Sequence, residues 1–305
     1  MNAARSHASG GPDVLVHEDV ADRTGEGVMN SKVAVVTGAS SGIGAAIAGR
    51  LAEAGYRVFG TSRRAASPEP RGVEMLSLDV TSDRSVEAAV QEVVRRAGRI
   101  DVLVNNAGFG VAPAGAEESS IEQARSIFDT NFFGMVRTTR AVVPRMRRQG
   151  AGRIINIGSA LGFLPMPYGA LYAATKHAVE GYSESLDHEL RTWGIRVSVI
   201  EPAYMKTPFD ANFLEPDAAL DAYREIRAAV NKRVKELMAT AEDPRVVAEV
   251  VLKAAGSARP KLRYTAGRLA GRLRFLRTFL PARLMDAGIR RDLRLDAPTP
   301  QRPAA

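Results

Sequence analysis

Seven short, largely apolar runs, alternating with stretches of helical spacing, constrain this chain more than any other feature. They cover residues 32–37, 56–61, 73–78, 100–104, 153–157, 195–200 and 262–265. Runs that stay apolar without in–out alternation predict strands covered on both faces. Helices are predicted over 42–54, stopped by Gly55, over 82–97, capped by Ser82, and over 171–193 and 244–255. Residues 121–148 read as one long helix, or as a helix bent near Asn131. Short strand–helix–strand steps imply parallel pairing and right-handed crossovers. The expected class is therefore α/β, a doubly wound parallel sheet in a single domain with a C-terminal helical extension.

The remaining segments depart from this alternation. Residues 1–30 are rich in Gly, Ser, Ala and charge, with no apolar period, and are expected to be disordered. Met29, just before the first strand, is read as an alternative start of translation. The sheet domain is expected over 31–266, with an insertion at 203–242 that is helical around 218–238. Residues 267–305 form a basic, amphipathic extension.

Composition excludes several chemistries. There is no cysteine, hence no disulfide, thiolate nucleophile or Cys zinc site. His7, His17, His177 and His188 share no metal-ligand spacing, so no metal is expected. No apolar run reaches the roughly 18 residues of a membrane span, and no secretory h-region is seen. A soluble, cytoplasmic protein is expected.

Two stretches carry chemistry. Between the first strand and first helix stands T-G-A-S-S-G-I-G, Thr37 to Gly44. Glycines there let backbone amides approach a pyrophosphate, and the next helix aims its partly positive N-terminus at it. Farther on, Tyr172 and Lys176 lie one helical turn apart, and Ser159 follows the fifth strand. A phenol beside an ammonium is an acid–base device, with its pKa expected to fall towards the working pH. By itself the same pair is also what any helix with a tyrosine and a solvated lysine shows.

T-G-x-x-x-G-x-G at 37–44, N-N-A-G at 105–108, Asn131, Ser159 and Y-x-x-x-K at 172–176 together resemble the short-chain dehydrogenase/reductase family, a Rossmann fold. The match covers about residues 32–207, and the stretch from A-V-V-P-R-M to E-P-A-Y-M-K-T is similar to the 17β-hydroxysteroid and retinol dehydrogenase branch. The resemblance implies a catalytic set of Asn131, Ser159, Tyr172 and Lys176. Tyr172 would pass the proton, Ser159 would hold the reacting oxygen, Lys176 would lower the Tyr172 pKa and bond the ribose, and Asn131 would hold a relay water. It implies that Gly38, Ser40, Ser41, Gly42, Ile43 and Gly44 cradle the cofactor. Asp79 and Val80 would meet the adenine, and Asn105 to Gly108, with Ala107 between them, would shape the cleft floor and support the adenosine side. Pro202 and Thr207 would meet the nicotinamide end. Ala203 departs from the Pro-Gly of many relatives, and its methyl is expected to narrow that end. Two plainer readings stay open: Asp79 as a turn residue and Asn131 as a buried amide satisfying a bend.

The second strand ends G-T-S-R-R, Gly60 to Arg64, without the acid that NAD binders place there. Arg63, with Ser62 beside it, suits a 2′-phosphate instead. NADP(H) is therefore preferred over NAD(H), with a surface arginine pair as the alternative. Leu161, Phe163, Met166, Tyr204 and Phe209 are expected to line a pocket for a hydrophobic alcohol, aldehyde or ketone. A catalytically silent NADP(H)-binding regulator is the rival, disfavoured by the presence of Ser159, Tyr172 and Lys176 together. Relatives pair through the helices holding Asn131 and Tyr172, so a homodimer or homotetramer is expected. Residues 261–294 hold ten Lys or Arg against two Asp, a surplus equal to the +8 of the whole chain. Leu269, Leu273, Leu276 and Leu280 form one stripe there. No nucleic-acid motif accompanies the charge. Packing of the leucines over the cleft or sheet edge is preferred, because the helices follow directly from the last strand. Peripheral membrane contact through 267–295 is the alternative.

Overall fold

The computed structural model describes residues 31–63, 71–209 and 213–295. The expected disordered tail at 1–30, Arg64 and the last ten residues of the extension lie outside them. Seven parallel strands form one sheet in the order β3-β2-β1-β4-β5-β6-β7. They are β1 Val33–Thr37, β2 Arg57–Ser62, β3 Val73–Ser77, β4 Val102–Asn105, β5 Gly152–Ile157, β6 Ile195–Pro202 and β7 Arg263–Ala266. The helices are α1 Gly42–Glu53, α2 Asp83–Ala97, α3 Ile121–Phe128, α4 Gly134–Gln149, α5 Ala170–Leu190, α6 Arg224–Ala239 and α7 Arg245–Gly256. Two more follow β7: α8 Arg268–Phe279 and α9 Ala282–Asp292.

The apolar runs are explained by burial on both faces. In β1, Ala34 and Val36 join one core with Ile47 and Leu51 of α1 and Val247 and Val251 of α7. Val33 and Val35 join the opposite core with Val93 of α2, Val142 and Met146 of α4 and Leu186 of α5. Period-two side chains that all meet helices leave no polar face to alternate.

Strand order reverses between β1 and β4, which are neighbours in the sheet although β2 and β3 intervene in sequence. Loops leaving the two strand ends must diverge, and the crevice between them is where such sheets bind ligands. Register keeps these ends level, with Val36 opposite Val104, one residue before Thr37 and Asn105 end the two strands.

The predicted long helix is interrupted. Asp129–Phe133 winds as a π-turn between α3 and α4, at the position of the expected bend. The insertion starts later as a helix than its sequence suggests, with a tight turn at Asp221–Tyr223 before α6. Buried Glu118 explains the attachment of α6: it pairs with Arg227 and accepts from the Gly115 and Leu220 amides at 2.7 and 2.8 Å. Asp187 does the same between α5 and β6. Burial works to raise its pKa, but bonds from Arg196, the Val197 amide and Arg191 outweigh burial and hold it at about 2.

Half of the leucine stripe of the extension packs inward, while Leu269 and Leu280 stay exposed. Leu273 and Leu276 of α8 and Met285 and Ile289 of α9 meet Ala160, Phe163 and Leu164 behind β5. Leu293 closes a second cluster with Val230 and Val234 of α6.

Candidate active site

The glycine turn is built by close approach. A Cβ on Gly44 would clash with the Gly38 carbonyl oxygen, so only glycine lets α1 start this near the turn. Gly42 sits at φ +55, a left-handed backbone, with the Thr207 side chain just above it. Ser41 precedes α1 without a side-chain cap, and the first turn holds no acid. The leading N–H groups and their partial positive charge therefore face the crevice.

Thr37 and Asn106 hold this turn against the end of β4. Thr37 Oγ1 accepts from the Asn106 and Ala107 amides at 2.9 and 3.0 Å. Asn106 Nδ2 donates to the Thr37 and Gly38 carbonyls at 2.9 and 3.1 Å. Both lie within the motifs read from the sequence, but the bonds between them are not legible there. The doubled Asn of N-N-A-G was the available signal.

One continuous cleft of about 2060 Å³ runs from this turn to the extension. Gly38, Ser40, Ser41, Gly42, Ile43, Gly44, Ser62, Arg63, Asp79, Val80, Ala107, Gly108, Pro202 and Thr207 all line it. Ser159, Tyr172 and Lys176 stand midway, and Leu161, Met166, Tyr204 and Phe209 lie beyond. The cleft thus gathers most of the residues singled out in the sequence.

Three of them it does not gather. Asn105 points behind the crevice, bonded to Asn156 at 2.9 Å, Thr139 at 3.2 Å and Thr138 at 2.6 Å. Phe163 is buried under α8, with the Arg274 guanidinium 4.7 Å from its ring centre. Apolarity alone could not separate this core ring from a pocket wall. The Asn131 amide is occupied by the Phe109 backbone, accepting from N–H at 2.9 Å and donating to C=O at 2.8 Å. That is the bend-satisfying arrangement. Asn131 also lines a separate small cavity of about 10 Å³ with Asn105, Thr138, Ile157 and Lys176, about the room of one water.

Asp79 likewise takes the turn role with one oxygen, accepting from Thr81 N–H at 2.9 Å and Oγ1–H at 2.8 Å. These bonds, with Arg63 and Arg137 nearby, hold its pKa below the usual value. The Ala203 methyl packs against the cluster under the extension as well as lining the cleft.

Ser159 caps a short turn, accepting from the Leu161 amide at 3.1 Å. Tyr172 and Lys176 share a face of α5, with Nζ 5.6 Å from the Tyr172 ring centre. The expected lowering of the Tyr172 pKa is not found. Burial pushes it up to about 12, and the hydrogen bond with Ser159 opposes this only in part. The ammonium lies over the ring, not against the hydroxyl. Burial also lowers Lys176 to about 8, opposed by Glu180 one turn on. Lys176 donates one N–H to the Ile157 carbonyl at 2.8 Å. Its other N–H groups have no hydrogen-bond partner among the described residues, and the same holds for the buried Thr61 Oγ1 at the crevice. Unmatched donors, a glycine cradle and an uncapped helix start fit a dinucleotide.

Fold and site together define a Rossmann-type oxidoreductase. The chain belongs to the short-chain dehydrogenase/reductase family, whose members bind NAD(P)(H), and matches the short chain dehydrogenase family over residues 32–218. A 3-ketodihydrosphingosine reductase of Bacteroides thetaiotaomicron is 44% identical over 185 residues, 60% of this chain and 68% of that one. Human 17-beta-hydroxysteroid dehydrogenase type 1 is 36% identical over 258 residues, 77% of each chain. Among solved structures, a short-chain dehydrogenase from Streptomyces avermitilis superposes with a TM-score of 0.71 at 33% identity, covering 88% of this chain and 98% of that one. Among the described residues there is no metal-ligating cluster, and no helix is long and apolar enough to cross a membrane.

Behind Lys176 lies a set of charges to which the motifs read from the sequence assign no role. Glu201, at the end of β6, is 1% exposed, and its carboxylate is 3.3 Å from Arg274 of α8. Glu180 bonds Arg263 of β7 at 2.9 Å. An acid interrupting the apolar run of β6 was the available signal. Burial pushes Glu201 up to about 7; Glu180 acts the same way, and Arg274 and Arg263 oppose it. The folded protein therefore keeps a proton that the unfolded chain releases near 4.5, so Glu201 makes stability fall as pH rises from about 4.5 to 7. Glu201→Gln should flatten this decline. Melting temperatures measured across that window check it, and parallel curves for the two proteins would contradict it.

Proposed function

We propose that the protein is an NADP(H)-dependent oxidoreductase interconverting a hydrophobic alcohol and its ketone or aldehyde, with Tyr172 as general acid and base. The observation that carries this reading is the position of Ser159, Tyr172 and Lys176 between a glycine-lined end and an apolar end of one cleft. Gly38, Ser40–Gly44 and the start of α1 would hold the pyrophosphate, Asp79 and Val80 the adenine side, and Pro202 and Thr207 the nicotinamide side. Bound there, nicotinamide supplies or accepts the hydride.

The side chains handle the oxygen and the proton. In reduction Tyr172 Oη–H gives its proton to the carbonyl oxygen, and in oxidation the phenolate takes it back. Ser159 Oγ–H donates to the same oxygen and fixes its place. A phenol held at about 12 stays protonated at neutral pH, which suits the reducing direction. The N–H groups of Lys176 with no protein partner would bond the ribose hydroxyls. The one-water cavity between Asn131 and Lys176 is the place for a relay water.

Arg63, exposed at the cleft edge with no acid beside it on β2, supports NADP(H), because a guanidinium matches a 2′-phosphate bidentately. The apolar end supports a hydrophobic substrate. The Phe209 ring stands 6.0 Å from that of Tyr172 and 5.4 Å from that of Phe213. The names of the two relatives, a 3-ketodihydrosphingosine reductase and a 17-beta-hydroxysteroid dehydrogenase, agree with this substrate class.

Tyr172→Phe should abolish NADPH-coupled turnover of apolar ketones while NADPH binding persists. Substantial turnover by the folded variant, or a screen in which small sugars outperform steroids and long-chain carbonyls, would contradict the reading. Arg63→Ala should weaken NADPH by about 1.5–3 kcal/mol, roughly tenfold to a hundredfold in Kd. NADH affinity should hardly move. Titration calorimetry with both nucleotides measures this, and a wild type that prefers NADH would overturn the cofactor assignment.

A further inference from the structure

The inward-facing leucines of α8 leave an outer face with a different chemistry. At helical spacing Arg268, Arg272, Phe275 and Phe279 share one side, about a quarter of a turn from Leu269, Leu273 and Leu276. Arg274 fixes this orientation: it reaches inward to Glu201 and lies over the Phe163 ring, which turns Phe275 outward. Phe275 is 62% exposed and Phe279 70%, with ring centres 4.8 Å apart. Leu280 and Leu284 continue the patch around Pro281 onto α9, at 37% and 53% exposure. Of the ten large apolar side chains exposed among the described residues, five lie between Leu269 and Leu284. Single exposed apolar groups are ordinary, whereas a contiguous patch marks a contact surface.

Charge selects the occupant. Arg268, Arg272, Arg277, Arg283 and Arg291 are exposed and have no ion-pair partner among the described residues. Asp292 is engaged by Arg233, which leaves Asp286 as the acid of α8 and α9 without an ion pair. Arginines around an aromatic and leucine tip are the chemistry of a helix lying in the interface of an anionic bilayer. A protein partner would have to present acids around an apolar centre, and nothing in the fold indicates one. The patch also borders the cleft, because Leu269, Leu280 and Leu284 are both exposed and part of its wall.

We propose that the α8–α9 corner docks on anionic phospholipid bilayers, with Phe275, Phe279, Leu280 and Leu284 entering the interface. The apolar end of the cleft then opens onto the membrane, where apolar substrates partition. That second part rests on the proposed function. The docking itself is read without turnover, so failure of one is distinguishable from failure of the other.

The test is flotation of the full chain with vesicles of phosphatidylcholine alone and of phosphatidylcholine mixed equally with phosphatidylglycerol. Wild type should float with the mixed vesicles, much less with the neutral ones, and less again at high salt. Phe275→Ser with Phe279→Ser should lower partitioning at least tenfold while turnover of a detergent-dispersed ketone stays unchanged. Arg268→Gln with Arg277→Gln should lower it by about fivefold for each charge removed. Both pairs lie outside the cleft wall, and unchanged melting temperatures verify their folds. Equal binding to both vesicles, no binding by wild type, or full binding by the Phe275/Phe279 variant would overturn the proposal. So would a concentration-dependent dimer, seen by light scattering, that the same variant abolishes, because a second copy would then cover the patch.

Discussion

A buried ammonium organises the centre of this molecule. Lys176 is 7% exposed, and moving a charge that far from water is costly unless it is solvated by the protein. The Ile157 carbonyl, where β5 ends, accepts one of its N–H groups, and Glu180 faces it from the next turn of α5. Meeting both fixes α5 against the end of β5. That placement sets Tyr172 and Ser159 across from each other at the middle of the cleft.

The same constraint reaches outward. Glu180 is itself buried and requires Arg263 of β7, while Glu201 beside it draws in Arg274 of α8. Two acids and two arginines thus tie the last strand and the extension to the helix that carries Lys176. The extension is in this sense part of the active-site scaffold, and its apolar stripe doubles as the far wall of the cleft. At the other end the Thr37–Asn106 bonds hold the glycine turn to β4. The cleft is therefore bounded on one side by backbone geometry and on the other by a buried charge network.

Much of this was legible in the sequence, for local reasons. Continuous apolar runs identify strands buried on both faces, and glycines at Gly38, Gly42 and Gly44 mark a turn that only glycine can close. The spacing of Tyr172 and Lys176 is a property of any helix and needs no tertiary knowledge. What was hidden depends on distant contacts. Asn105 and Asn131 carry amides that the sequence cannot distinguish from free ones, and both are engaged by neighbouring chain. Phe163 and Leu161 differ only in which side of a turn they face. The rise of the Tyr172 pKa follows from burial, a sum over the whole fold, and what opposes it is the Ser159 hydrogen bond, not the lysine that sequence spacing suggests.

The most direct test of the account is the pH dependence of NADPH affinity. If the Lys176 ammonium anchors the nucleotide, binding should be constant while Lys176 is protonated and should weaken as pH rises through about 8. The loss should approach tenfold per pH unit above that point. In Lys176→Met, affinity should be lower and flat over the same range. Equal wild-type affinity on both sides of that value, or the same decline in Lys176→Met, would contradict the central role assigned to this lysine.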